Sequence, residues 1–243
     1  MNISEAHKQA VLVAHGQPSA PEPAEAALAV LAGKVQEHLP DWRIHSATLA
    51  ATDRLEEVCD TLDGPLTIYP CFMSEGYFTR TVLPRRLGPR HAHVLGPLGL
   101  EAELPDLVIE VLEGQAGRRS WELSSVEVLL AAHGSARGGK AAEAARRFLN
   151  ALTSRTNLSG VRLGFVEQGP FIGDAVRDLP ERTLCLPFFA QEGDHVRNDI
   201  GDALRDVDFA GEVLPVIGEL PGAPALIARS LQRSVGGGEG KAI

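Results

Sequence analysis

A chain of 243 residues, 44% hydrophobic and 23% charged, has the composition of a soluble globular protein with one large or two small domains. Its formal net charge of −9 argues against general nucleic-acid binding, which usually requires a basic face. The three cysteines are far apart, the N-terminus lacks the apolar segment of a secretory signal, and no apolar run approaches the roughly 20 residues that span a bilayer. We therefore expect a cytoplasmic protein without a membrane partner.

In the first half of the chain, short apolar runs alternate with segments of helical periodicity. The runs predict strands at residues 10–15, 43–50, 65–72 and 92–98. The periodic segments predict helices at residues 23–39, 53–62, 79–87 and 105–114.

The second half repeats this alternation. Strands are predicted at residues 126–132, 161–167, 182–189 and 211–216. Helices are predicted at residues 138–155, 170–179, 194–207 and 223–235. Because strands that alternate with helices form parallel sheets, we predict an α/β fold in which each half is a parallel four-stranded sheet with helices on both faces.

Four sequence markers recur in the same order in the two halves. They are His15 and His133 (133 − 15 = 118), Pro70 and Pro187 (187 − 70 = 117), Glu75-Gly76 and Glu192-Gly193 (192 − 75 = 117), and Pro97 and Pro215 (215 − 97 = 118). This register predicts a tandem duplication, with one domain at residues 1–118 and another at residues 119–243. The polar, glycine-containing stretch at residues 113–120 is the expected linker.

In the second half, three candidate metal ligands follow three consecutive predicted strands. His133 follows the first strand, Glu167 ends the second, and His195 lies on the first turn of the helix after the third. Ligands of open parallel sheets bind beyond the carboxyl ends of the strands, so these side chains can meet at one edge. Two imidazoles and a carboxylate suit a divalent first-row metal, although each residue alone could have a purely structural role.

The first half lacks most of this set. His15 is present, but the position that matches Glu167 falls near Ala50, and the position that matches His195 is Phe78 or Tyr77. We therefore expect a degenerate site in the first domain and the main site in the second.

One basic stretch stands out in this acidic chain. Residues 80–93 contain Arg80 and Arg85 among four arginines and two histidines, with no acid. The stretch could be a solvated helix face, or it could bind a ligand rich in carboxylates, with Arg137 and Arg197 contributing from the second half. Candidate apolar walls for such a ligand are Phe72, Met73, Phe188 and Phe189, although such residues more often belong to a core.

Motifs for other chemistries are absent. The sequence contains neither GxGxxG nor GxxxxGK[ST], so we expect no nucleotide cofactor. Ser135 lies beside His133, but no GxSxG motif surrounds it, which argues against a hydrolase.

A strand that ends in "AHGS", a strand that ends in "FVEQGPFI" and the phrase "LPFFAQEGDHVRNDI" together resemble the sirohydrochlorin chelatases. These are the class II chelatases of cobalamin and siroheme biosynthesis, and the duplicated length is similar to their long two-domain form. The resemblance implies ATP-independent insertion of Co2+ or Fe2+ into sirohydrochlorin. It implies that His133 and His195 bind the metal and accept protons, with Glu167 as their acidic partner. From the basic stretch and the repeat, we expect His15, Arg80, Arg85, Arg137 and Arg197 to contact the substrate.

Metal insertion into a tetrapyrrole requires the removal of two pyrrole protons, and histidine titrates near neutral pH, which suits it to accept one. The divalent metal, Co2+ or Fe2+, is then a substrate rather than a resident cofactor. A carrier that binds a tetrapyrrole or a metal without turnover remains the alternative function. The chain could act as a monomer or a homodimer.

Overall fold

The computed structural model describes residues 8–135 and 139–236. Within these residues the chain forms eight strands, each of which overlaps a predicted one. The strands are β1 (Lys8–Ala14), β2 (Trp42–Thr48), β3 (Leu66–Pro70), β4 (Ala92–Val94), β5 (Glu127–Ala132), β6 (Gly160–Phe165), β7 (Thr183–Phe188) and β8 (Glu212–Val213).

The strands form two separate parallel sheets with the same strand order. The first sheet has the order β2-β1-β3-β4, and the second has the order β6-β5-β7-β8. Val11 and Val13 in the first sheet and Leu129 and Leu130 in the second are fully buried, as expected for strands covered by helices on both faces. The predicted fold class is therefore confirmed.

The helices of the described residues also follow the predicted order. They are α1 (Pro21–His38), α2 (Arg54–Asp60), α3 (Leu83–Leu87), α4 (Leu104–Arg118), α5 (Lys140–Arg155), α6 (Ile172–Ala175), α7 (Gly201–Arg205) and α8 (Ala223–Gly236). Short 3₁₀ turns lie at Leu98–Leu100, Leu123–Ser125 and Ile217–Glu219.

Two π-helices were not expected from the sequence. Phe78–Val82 forms the first π-helix and leads directly into α3, and His195–Ile200 forms the second and leads directly into α7. Each replaces the first part of a helix that the sequence predicted as one α-helix. Because a π-helix holds more residues per turn than an α-helix, it changes which side chains lie side by side at the edge of the sheet.

The expected linker at residues 113–120 is wrong, because α4 continues to Arg118. Leu104, Val108, Leu112 and Ala116 recur every fourth residue and are buried, so an apolar stripe keeps this stretch helical. A Cβ atom added at Gly114 or Gly117 would meet no atom within 4 Å, so the two glycines lie on the open side of the helix.

By their contacts, the residues divide into two units that cross the predicted boundary between residues 118 and 119. The first unit comprises the chain up to Phe72, Gly76–Leu98 and the chain from Pro221 onward, and the second comprises Met73–Glu75 and Gly99–Leu220. The last helix of each half therefore leaves its own sheet: α8 packs against α1 in the first unit, and α4 packs against α5 in the second.

Each unit has its own apolar core. In the first unit, Val11, Leu55, Ile68 and Leu83 pack together between the strands and α2 and α3. In the second, Leu129, Ile172, Cys185 and Ile200 form the corresponding cluster. These cores fix the helices that follow the strands and therefore fix the side chains at the sheet edge.

None of the described helices is both long enough and apolar enough to cross a lipid bilayer.

Candidate metal centre

His133, Glu167 and His195 meet at the carboxyl edge of the second sheet. β5 pairs with β6 on one side and with β7 on the other, so the ends of these strands lie next to each other. His133 directly follows β5, Glu167 lies two residues beyond β6, and His195 begins the second π-helix after β7. The topology therefore places the three side chains at one edge.

The side chains of these three residues are close enough to share one ion. The His133 Nδ1 lies 3.7 Å from the Glu167 Oε2, and the rings of His133 and His195 lie 4.5 Å apart between centroids and nearly perpendicular. One ligand atom from each residue lies within 4.8 Å of the others. Within residues 8–135 and 139–236, this is the one group of three or more histidine, cysteine or acidic side chains that could hold a metal. His133 and His195 are partly buried and Glu167 is exposed, so the group is open to an incoming ion.

The backbone holds His133 in a defined orientation. The Glu167 N–H donates to the His133 carbonyl oxygen at 3.0 Å, which joins two of the three candidate ligands through the main chain. The His133 Nδ1 lies 3.0 Å from the Gly134 carbonyl oxygen. Because a carbonyl oxygen only accepts, Nδ1 carries the proton and the lone pair of Nε2 is available for a metal.

Gly134 allows the chain to turn at this point. Its φ is +71°, and an added Cβ would lie 2.7 Å from the Gln168 Cγ and 3.0 Å from the Phe165 Cβ. The Gln168 Oε1 also accepts a hydrogen bond from the Ser135 N–H at 2.9 Å. The turn that carries His133 is therefore packed directly against the segment that carries Glu167.

Asp199 is a candidate site residue that the sequence analysis missed. Its Oδ2 lies 2.7 Å from the Nδ1 of His195, one turn earlier in the second π-helix. The signal was present in the sequence as an aspartate four residues after the histidine in "HVRND". A helical His and Asp at this spacing lie on one face, and His195 is the one histidine of the sequence that an acidic residue follows at four positions, so this spacing could have identified Asp199.

The first unit keeps the backbone frame of this site but not its ligands. The Ala50 N–H donates to the His15 carbonyl oxygen at 2.8 Å, as the Glu167 N–H does to His133 (167 − 50 = 117). Phe78 begins the first π-helix, as His195 begins the second (195 − 78 = 117). The His15 ring meets the Phe78 ring edge to face at 4.2 Å. His15 therefore faces an aromatic ring where His133 faces a second imidazole.

The candidate aromatic walls differ in their position. Phe189 lies beside His133, with 6.3 Å between ring centroids, and in the first unit Phe72 stacks on Phe78 at the same centroid distance. Phe188 is buried and packs on Phe148 at 4.9 Å, so it belongs to the core and the expectation that it lines a ligand site is wrong.

The basic stretch divides into structural and exposed arginines. Arg86 donates to both Glu56 carboxylate oxygens and to the Leu49 carbonyl oxygen, and Arg90 pairs with Asp60. Arg80 and Arg85 are exposed on the first π-helix and α3.

Two of the candidate substrate-binding arginines occupy equivalent positions. Arg80 and Arg197 are each the third residue of a π-helix (197 − 80 = 117), and Arg197 Nε lies 3.3 Å from the Glu192 Oε1. Arg137 lies outside the described residues. The role of these arginines in binding an anion stays a prediction.

The buried cysteines do not add ligands to this site. Burial raises the pKa of Cys71 and of Cys185 to about 12, so neither thiol supplies a thiolate at neutral pH. The nitrogen and oxygen donors of His133, Glu167 and His195 therefore define the chemistry of the candidate centre.

The comparisons with known proteins agree on one family. The family model CbiX matches residues 127–234. A solved structure of CbiX, described as the terminal enzyme for biosynthesis of siroheme in denitrifying bacteria, is 41% identical to this chain, covers 93% of it and 99% of its own length, and superposes with a TM-score of 0.85.

Two more distant relatives have similar descriptions. A probable sirohydrochlorin cobaltochelatase of Halobacterium salinarum is 22% identical over 219 residues, which is 78% of this chain and 74% of that protein. The structure of SirB from Bacillus subtilis with Fe3+ is 15% identical, covers 96% of this chain and 98% of its own, and has a TM-score of 0.73, which shows a shared fold.

Proposed function

Because this chain belongs to the CbiX family of sirohydrochlorin chelatases, we propose that it inserts a divalent metal into sirohydrochlorin without nucleotide hydrolysis. The observation that carries the proposal is the convergence of His133, Glu167 and His195 at one sheet edge. The reaction belongs to cobalamin or siroheme biosynthesis, with the tetrapyrrole and the metal as its two substrates.

In the proposed mechanism, the three side chains hold the incoming ion. His133 and His195 bind it through Nε2 and Glu167 binds it through a carboxylate oxygen. Three protein ligands leave further coordination positions open, which the pyrrole nitrogens of the macrocycle can occupy. The metal can therefore pass from the protein to the tetrapyrrole through a shared coordination sphere.

The same histidines can take the protons that the metal displaces. Insertion of one divalent ion releases two pyrrole N–H protons. As each M–N(His) bond breaks, the Nε2 lone pair that held the metal is free to accept a proton, so ligand release and proton removal are coupled. The protonated histidines then repel a further cation until the protons pass to water.

We propose that the exposed arginines and the first unit bind the macrocycle. Arg80, Arg85 and Arg197, together with Arg137, supply guanidinium groups for its carboxylates. His15 contacts substrate rather than metal, because its partners are Ala50 and Phe78. Its edge-to-face pair with Phe78 offers an aromatic surface to a flat ring system.

Cobalt is the metal that we favour, with Fe2+ as the alternative. Nitrogen and oxygen sites bind Co2+ more tightly than Fe2+ in the usual order of first-row affinities. SirB from Bacillus subtilis has been solved with Fe3+, and SirB of its subspecies spizizenii in complex with cobalt, so relatives of this fold accept both elements.

We propose a cytoplasmic enzyme that acts as a monomer or a homodimer and arose by tandem duplication. The equal strand orders of the two sheets and the constant offset of 117 between Ala50 and Glu167 and between Phe78 and His195 support the duplication.

An insertion assay tests the proposed function. The purified chain is mixed with sirohydrochlorin and either Co2+ or Fe2+ under anaerobic conditions, and the absorbance of the metallated product is followed. We expect both metals to be inserted faster than in the absence of protein, and Co2+ to be the faster of the two.

A carrier is the alternative, and it is favoured by the loss of two of the three ligands from the first unit. A carrier would bind metal or tetrapyrrole stoichiometrically in an equilibrium titration and would leave the insertion rate at the protein-free value. That result would overturn the proposed enzyme.

A further inference from the structure

We propose that Asp199 is a positioning residue that fixes the tautomer and orientation of His195, so that the Nε2 of His195 faces the incoming metal. The inference rests on the proposed function for the identity of the ion. It adds a residue that neither the sequence analysis nor the family resemblance assigned.

A hydrogen bond joins the side chains of Asp199 and His195. The Oδ2 of Asp199 lies 2.7 Å from the Nδ1 of His195, a normal distance for a charge-assisted bond. A carboxylate oxygen accepts, so the Nδ1 of His195 carries the proton and its Nε2 carries the lone pair. When one ring nitrogen of a histidine binds a metal, the hydrogen-bond acceptor at the other ring nitrogen sets both the ring rotation and the basicity of that histidine.

The two histidines of the site have different hydrogen-bond partners at Nδ1. The Gly134 carbonyl oxygen accepts from the Nδ1 of His133 at 3.0 Å, so a backbone group gives His133 the tautomer that a side chain gives His195. His133 lies in a turn that is packed against Gln168 and Phe165, whereas His195 lies on the second π-helix and its Nδ1 contacts a side chain of that helix. Without Asp199, the described contacts leave the His195 ring with less to hold it.

The first unit lacks both members of this His–Asp pair. The position that matches His195 is Phe78, and the position that matches Asp199 is Val82 (199 − 117 = 82), the last residue of the first π-helix. The imidazole and its acceptor are therefore both present in the second unit and both absent from the first. This is the pattern expected if the aspartate serves the histidine rather than the helix.

The surroundings of Asp199 provide a matched control. Asp199 and Asp202 both line a cavity of about 770 Å3 on the same side of the second unit. Asp202 pairs with Arg205 within α7 and does not contact His195. Substitution of Asp202 therefore removes the same charge from the same cavity and leaves the His195 hydrogen bond in place.

The experiment compares Asp199→Ala, Asp199→Asn and Asp202→Asn with the unchanged full-length chain. Long-range 1H–15N correlation spectra report which ring nitrogen of His195 carries the proton. Titration with Co2+ alone reports metal affinity, and thermal unfolding shows whether each variant is folded.

We expect Asp199→Ala to convert His195 to a mixture of tautomers and to weaken Co2+ binding by about 10–100-fold. Asp199→Asn keeps an oxygen that can accept from Nδ1, so we expect this variant to retain part of the tautomer preference of His195 and part of the Co2+ affinity. Asp202→Asn should match the unchanged chain in tautomer and affinity.

An unchanged His195 tautomer and an unchanged Co2+ affinity in folded Asp199→Ala would overturn the inference, as would equal losses in Asp202→Asn. Neither measurement uses the tetrapyrrole. A chain that fails to insert metal but shows the expected response at His195 would therefore refute the proposed function and leave the role of Asp199 standing.

Discussion

Gly134 determines where the ring of His133 can lie. Its positive φ places the residue in the left-handed region, which residues with a Cβ adopt at a cost of about 1–2 kcal/mol. The missing Cβ also leaves room for the Cγ of Gln168, which lies 2.7 Å from the position that a Cβ would take. The position of one candidate ligand therefore depends on the absence of a methyl group beside it.

We expect Gly134→Ala to lower the free energy of unfolding by about 1–3 kcal/mol, because it adds backbone strain and a clash with Gln168. It should also weaken Co2+ binding, because the turn that carries His133 must shift. Urea unfolding and Co2+ titration measure the two effects. Gly173→Ala is the matched control, since a Cβ there meets no atom within 4 Å. Wild-type Co2+ affinity in Gly134→Ala would contradict this account of the turn.

Arg86 joins three elements of the first unit. It lies on α3, donates to Glu56 on α2, and donates to the Leu49 carbonyl oxygen just after β2 at 2.8 Å. The hydrogen bond from Arg86 holds the pKa of the Glu56 carboxyl below its ordinary value, although partial burial opposes this effect. The arginine therefore stabilises the edge of the first sheet, beside Ala50.

This ion pair predicts a pH-dependent stability. A carboxyl whose folded pKa is lowered stabilises the protein above its unfolded pKa, and this contribution is lost as the pH falls through the folded value. We expect Glu56→Gln to lower the free energy of unfolding by about 1–2 kcal/mol at neutral pH. The difference from the unchanged chain should vanish at acid pH, once Glu56 is protonated in both the folded and the unfolded state.

Urea unfolding at neutral and acid pH measures this difference. Glu57→Gln, on the same turn of α2 but exposed, is the control for the loss of one charge. An equal effect of Glu56→Gln at both pH values would show that the pair contributes through packing rather than through charge.

The elements themselves could largely be predicted from the sequence, and the π-helices could not. Strands buried on both faces appear in the sequence as continuous apolar runs, such as residues 126–132, which contain all of β5. The site followed from these strands, because parallel strands bring His133, Glu167 and His195 to one edge. The second π-helix has no such signal, because the periodicity of Val196, Ile200 and Leu204 fits an α-helix equally well.

The sequence indicated two similar halves, but it did not indicate that the last helix of each half packs in the other compact unit. The apolar stripe of α8, with Leu226, Ile227 and Leu231 buried, shows that one face is covered. It does not show which sheet covers it, because either sheet offers an apolar face of similar chemistry. Contacts place α8 with the first unit, so the compact units do not coincide with the repeated segments of the chain.

The two halves share a backbone arrangement but differ in the side chains that could bind a metal. His15 and His133 follow equivalent strands with equivalent backbone hydrogen bonds, but only His133 has a carboxylate and a second imidazole among its described neighbours. We infer that the second unit carries metal insertion and that the first unit contributes to substrate binding.

The most direct test of this claim is the steady-state rate of Co2+ insertion into sirohydrochlorin by His133→Ala and His15→Ala, measured side by side. The account predicts that His133→Ala lowers kcat by about 100-fold or more, because it removes a metal ligand and a proton acceptor. It predicts that His15→Ala raises KM for the tetrapyrrole and keeps kcat. A kcat that survives in His133→Ala, or that is lost in His15→Ala instead, would contradict it.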